Sequence, residues 1–185
     1  MAPCGSEEGE VVILEGPEIV KNGSISAGLG LLLNGKAQRM LVVIHQPLKG
    51  DQLFVLQEKH VQLLINESDR IGLEKGKLQI IVVPFNGHPV TLNEARFVVA
   101  KLSKDGVKSA ILLSKGFHTR RSSGVYSQEG ARFGVRIIPY PYFCEYKNDN
   151  WWQHPEGIHD FFEQSIKLAY YLMRGYVSIR YLYCS

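Results

Sequence analysis

Residues 78–121 read LQIIVVPFNGHPVTLNEARFVVAKLSKDGVKSAILLSKGFHTRR, and their punctuation decides the fold class. Residues 79–83 are an almost unbroken apolar run closed by Pro84, the pattern of a strand buried on both faces. A loop over 85–90 follows, and Thr91 opens a helix whose Ala95, Val98, Val99 and Leu102 fall at i, i+3, i+4 and i+7. Thr91 with Glu94 three residues on has the form of a capping box. Asp105-Gly106 ends that helix, residues 109–113 make the next buried strand, and 114–121 turn into a further helix. Two polar strand-to-helix turns in succession are where an open α/β sheet keeps its ligand.

The same alternation extends outward. Residues 11–14 and 39–44 read as short buried strands, and 134–138 as a fifth, broken by Pro139 and Pro141. A helix through Ile25 to Leu33 stops at Asn34-Gly35, and its Gly28 and Gly30 predict close packing on the sheet. A second helix is predicted over about 51–66, with Leu53, Leu56, His60, Leu63 and Leu64 on one side, then a polar connection over 67–76. Residues 139–156 read as a long aromatic loop, and 157–174 as a closing helix. Its expected inner side carries Ile158, Phe161, Phe162, Ile166, Ala169, Tyr170 and Met173, and 177–182 reads as an added edge strand. With residues 1–9 as a polar tail, 10–185 form one three-layer α/β domain around a mostly parallel five-stranded sheet.

At 185 residues the chain is long enough to bury a full core without disulfides. A net charge of +3, with basic residues dispersed, gives no electrostatic footprint for nucleic acid. Cys4, Cys144 and Cys184 match no zinc or redox spacing and fit free thiols in a reducing compartment. The N-terminal residues lack the pattern of a signal peptide, and no window has the length and apolarity of a membrane span. The expected location is cytoplasmic.

Past the carboxyl ends of the strands, one rim collects Glu15, His45, Gln46, Asn86, His88, Ser114, Lys115 and His118, with His154 and His159 beyond the fifth strand. The helix start at His118 is the best candidate for an anion site, with free N–H groups, Gly116 for close backbone approach, and Lys115, Arg120 or Arg121 for charge. The competing reading makes His118 a cap and the two arginines solvated. Capping alone explains Thr91 and Glu94 equally well, though it leaves Asn93 unused. His45, His88, His118, Glu15 and Glu94 lack zinc spacing, and no metal is expected. Neither a nucleophile elbow nor a glycine-rich dinucleotide loop is present. Trp151 and Trp152 suit a lid over a ligand, a homodimer surface, or packing beneath their own loop.

The segments Thr91-Leu92-Asn93-Glu94-Ala95 and Leu113-Ser114-Lys115-Gly116-Phe117-His118-Thr119-Arg120-Arg121 resemble two signature motifs of the bacterial SanA/ElyC/YdcF family, a domain of unknown function. The likeness extends over most of the chain, including residues 31–37 and the helix from His159 through Tyr171 to Gly175. The resemblance implies a Rossmann-like fold and a cleft where Thr91, Asn93, Glu94, His118 and Arg120 or Arg121 meet. It also implies links to the bacterial envelope and to S-adenosylmethionine as ligand. The chain differs at the first two strand ends, where Glu15-Gly16-Pro17 and His45-Gln46-Pro47 replace the family's glycines.

The expected function is binding of a small anionic or nucleotide-like ligand, S-adenosylmethionine or a phosphorylated or nucleotide-sugar metabolite, at the strand-carboxyl rim. His118 and Glu94 are the expected catalytic groups for hydrolysis or transfer at a phosphate or glycosyl linkage. Thr91, Asn93, Ser114, Lys115, Arg120, Arg121, His88 and Trp151 are the expected ligand contacts. The alternative is a non-catalytic ligand-binding or protein-interaction module.

Overall fold

The computed structural model describes residues 8–15, 23–46, 52–74, 76–85 and 87–182, with backbone only for 52–57. Asn86, Gly16, Pro17 and Pro47, noted on the rim, lie outside the described residues, as does most of the expected tail. Five strands, β1 (Val11–Leu14), β2 (Arg39–His45), β3 (Leu78–Val83), β4 (Ser109–Lys115) and β5 (Arg136–Tyr142), form one sheet. Every pair is parallel and the order is β3-β2-β1-β4-β5. This is the order of a Rossmann-like sheet, with its topological switch point between β1 and β4.

Alternate residues of each strand feed opposite faces. Val12, Leu14, Met40, Val42, Ile111 and Leu113 pack with Leu29, Leu32 and Leu64 of α1 (Ser24–Leu33) and α2 (Gln52–Arg70). Val11, Ile13, Leu41, Val43 and Leu112 pack with Val98, Val99 and Tyr126 of α3 (Val90–Lys104) and α4 (His118–Phe133). A last helix, α5 (Pro155–Met173), adds Tyr171 to that second core.

Several expectations change. Pro139 and Pro141 do not end β5, because it is an edge strand and their spacing of two puts both on the side away from β4. The aromatic loop is therefore shorter, running from the end of β5 to a 3-10 turn at Trp151–Gln153. Helix α2 continues to Arg70, through part of the expected connection, and Leu63 is exposed. Ile179–Tyr181 is a 3-10 turn, and no strand forms there. On α5 the expected inner side is largely reversed: Ile158, Phe162, Ile166, Tyr170 and Met173 are exposed. Gly28 is packed as expected, since an added Cβ would lie 2.7 Å from Met40 Cε, whereas Gly30 faces open space.

Candidate functional site

The carboxyl ends of β1, β2 and β4 and the starts of α3 and α4 enclose a buried polar centre. Glu15, the residue after β1, is 1% exposed and accepts hydrogen bonds from Ser114 Oγ at 2.9 Å and from Ser122 Oγ. His118, at the start of α4, sets Nε2 3.5 Å from the same carboxylate. Burial alone would push the Glu15 carboxyl up; the facing His118 and the two hydroxyls outweigh it and hold the group below its usual range.

Glu94 forms a second, parallel arrangement. It is also 1% exposed, lies 2.9 Å from His45 Nε2 at the end of β2, and accepts a 2.9 Å hydrogen bond from the Tyr126 hydroxyl of α4. Burial pushes its carboxyl above the usual range, and the charge on Glu15 adds to this, against the contacts from His45 and Tyr126. Burial also pushes the Tyr126 phenol well above its ordinary value, keeping it a donor.

The capping expectations give way here. Pro89 holds the cap position of α3, and no side chain caps that helix. Thr91 instead accepts a 2.8 Å hydrogen bond from Arg121 Nη1, while Glu94 faces the sheet. Phe117, not His118, holds the cap position of α4. A helix face that points at the core converts residues with capping chemistry into interior groups.

Arg121 joins the two halves. Its guanidinium donates to Thr91, to Gln164 Oε1 on α5, and to His118 Nδ1 at 2.8 Å, and stacks 5.0 Å from the Tyr171 ring. Because the guanidinium can only donate, His118 Nδ1 is the acceptor of this bond; the same nitrogen lies 3.2 Å from Gln164 Oε1, and Nε2 faces Glu15. Arg121 is 6% exposed. Among the described residues no carboxylate lies within 4.0 Å of the guanidinium.

This centre opens into a cleft of about 590 Å³. Of the residues expected as catalytic groups or ligand contacts, His88, Thr91, Lys115, His118 and Arg121 line it, together with His45 and Gln46 of the rim. Lys115 is paired with Glu145 and lies 3.5 Å from Asp160. Glu94 and Ser114 lie behind that wall, bonded to Tyr126 and Glu15. Asn93 lies off the wall and donates to the Gly87 carbonyl at 3.1 Å, bracing the loop before α3. Arg120 is exposed and outside the cleft. Trp151 stacks on Phe161 at 4.5 Å and meets Phe117 edge-on at 5.3 Å, so it braces the β4–α4 turn away from the cleft wall. Gly116, at φ +45°, accommodates Tyr146, whose hydroxyl would lie 2.7 Å from an added Cβ.

His45, Tyr126, Gln164 and Tyr171 complete the centre but carry weaker sequence signals. His45 and Glu15 are readable as rim residues after strands. Tyr126 and Gln164 sit mid-helix, where nothing local separates them from ordinary amphipathic positions. Among the described residues the expected histidines and glutamates do not gather as a metal site; only His159, Asp160 and Glu163 bring ligand atoms within 4.8 Å of one another, on the surface of α5.

No protein-family model matches this chain. A search of curated proteins likewise finds no significant relative. No helix among the described residues is long and apolar enough to cross a membrane.

Proposed function

We propose that the cleft binds a small anionic metabolite, phosphorylated or nucleotide-like, with Arg121 as its anchor. The supporting observation is a buried guanidinium with no carboxylate partner among the described residues. Burying a cation without an opposite charge costs several kcal/mol, roughly, and a bound anion offsets that cost. Arginine's fork suits two-point recognition of phosphate or carboxylate. Thr91 and Gln164 hold the fork in place and His88 adds a polar group, while Lys115 and Lys167 along the cleft are paired with Asp160 and Glu163.

His118 is the acid/base group in this reading, for hydrolysis or transfer at a phosphate or glycosyl linkage. An anion that draws Arg121 Nη2 toward itself releases His118 Nδ1. That nitrogen then takes a proton from the attacking hydroxyl as its oxygen bonds to the electrophilic centre, and returns it to the departing oxygen. Glu15 behind Nε2 stabilises the imidazolium between the two transfers. Glu94 acts through His45, which lines the same cleft.

S-adenosylmethionine, implied by the family resemblance, fits this centre poorly. Glu15 fills the end of β1, and His45-Gln46 end β2 where a carboxylate would bind a ribose diol. No step is assigned to it. The cysteine spacing supports a reducing compartment, and we place the protein in the cytoplasm. A non-catalytic binding module is the second reading, favoured because both His118 nitrogens already have partners.

A thermal-shift screen of phosphate, pyrophosphate, nucleotides, nucleotide sugars and S-adenosylmethionine tests the proposal. A ligand at ~100 times its dissociation constant should stabilise by about 2.7 kcal/mol, a shift of several degrees. His118→Ala should retain that shift and lose turnover. If no class of anion raises the midpoint, the anion-site reading fails; if binding occurs without turnover in the wild type, the binding-module reading replaces the enzymatic one.

A further inference from the structure

Helix α5 turns the wrong face inward for a closing helix. Gly157 and Tyr171 are its buried residues. Ile158, Phe162, Ile166, Tyr170 and Met173 lie outside, from 40% exposed at Ile158 to 80% at Met173. Their spacing places them in one stripe along the length of the helix. At ~200 Å² for a large side chain, the stripe exposes about 600 Å². That is at the upper end of what a monomer leaves open and most of the ~800 Å² per partner in a stable interface.

The charges beside the stripe indicate what covers it. At the helical period, Glu156, Glu163, Lys167 and Arg174 share one flank, acidic in the first half of α5 and basic after it. A twofold axis level with Ser165 brings Glu156 beside the partner subunit's Arg174, and sets the Glu163–Lys167 pair of one copy, 2.7 Å apart within its own helix, against that of the other. Both pairs share that midpoint, and the apolar stripe is centred within a residue of it. Parallel pairing would instead set this flank against the opposite, uncharged flank of the partner helix, and the two halves would not meet. We infer that two copies of this chain associate antiparallel through α5, an isologous interface in which each flank complements itself. Glu163, Lys167 and Tyr170 also line the cleft, so the partner helix runs along the cleft mouth.

Sedimentation velocity over a wide concentration range tests this with the full chain. The wild type should sediment as a dimer. Ile166→Asp should give a monomer with an unchanged circular dichroism spectrum and thermal midpoint, since the side chain is largely solvent-exposed. Arg174→Glu should weaken association by about tenfold or more, and adding Glu156→Arg should restore it. A monomeric wild type at every concentration, an Ile166→Asp variant that stays dimeric, or a double variant that fails to recover would each overturn the inference. A monomer that binds anionic phospholipid vesicles would overturn it in favour of a membrane surface.

Discussion

Glu15 and Glu94 are identical side chains that the fold drives in opposite directions. Both are buried, but Glu15 collects two serine hydroxyls and His118, while Glu94 has Tyr126 and His45 and feels the charge on Glu15. Such divergence marks acid and base assignments in one site. The signs of the linkage follow. Glu94, raised in the folded state, contributes stability below its unfolded pKa and loses it as pH rises through the folded value. Glu94→Gln keeps an acceptor for Tyr126 without a buried charge. Its midpoint relative to wild type should therefore climb as pH rises above the ordinary carboxylate range, measured by thermal unfolding in matched buffers. A gap that instead widens toward acid would contradict the assignment. Glu15, lowered in the folded state, stabilises above the ordinary carboxylate range and loses that contribution as pH falls. Glu15→Gln should destabilise the protein by ~2 kcal/mol at neutral pH, read from denaturant unfolding, because its hydrogen bonds are to a charged acceptor.

Two helical glycines separate at the level of elements. Gly130 lies where α4 crosses the strand entry to β5, and an added Cβ would stand 2.4 Å from the Val135 carbonyl oxygen. Backbone cannot retreat as a side-chain tip can, so Gly130→Ala should cost about 2 kcal/mol or more. Gly30 in α1 has no atom within 4 Å of the same position and no left-handed φ. Gly30→Ala should stabilise by about 0.5–1 kcal/mol through helix propensity and chain entropy. Equal effects of the two substitutions in chemical denaturation would mean that helix packing on the sheet is described wrongly. Sequence periodicity treats both glycines alike, and only the crossing of α4 over β5 distinguishes them.

The whole molecule is a parallel sheet flanked by helices, and that much was legible in the chain. Unbroken apolar strands between helices indicate a parallel sheet, and carboxyl-end polar residues mark its rim. Strand order was not legible, since residues 11–14 read the same at a sheet centre as at its edge; β1 is central here. The role of Glu94 was hidden because its partners come from β2 and α4, while the nearby Thr91 supplied a local capping explanation. The face of α5 was misread for a related reason: periodicity locates an apolar stripe but does not say whether the core or a partner covers it. The central claim is that Arg121 is a buried cation kept for an anion. Arg121→Met, a cationless side chain of similar reach, tests it most directly in thermal unfolding with and without the strongest-stabilising anion. The account predicts an unchanged or raised midpoint without the anion, since an unpaired buried charge is removed, and no further shift when it is added. A midpoint several degrees lower, with the anion-induced shift intact, would show that Arg121 braces the fold and binds nothing.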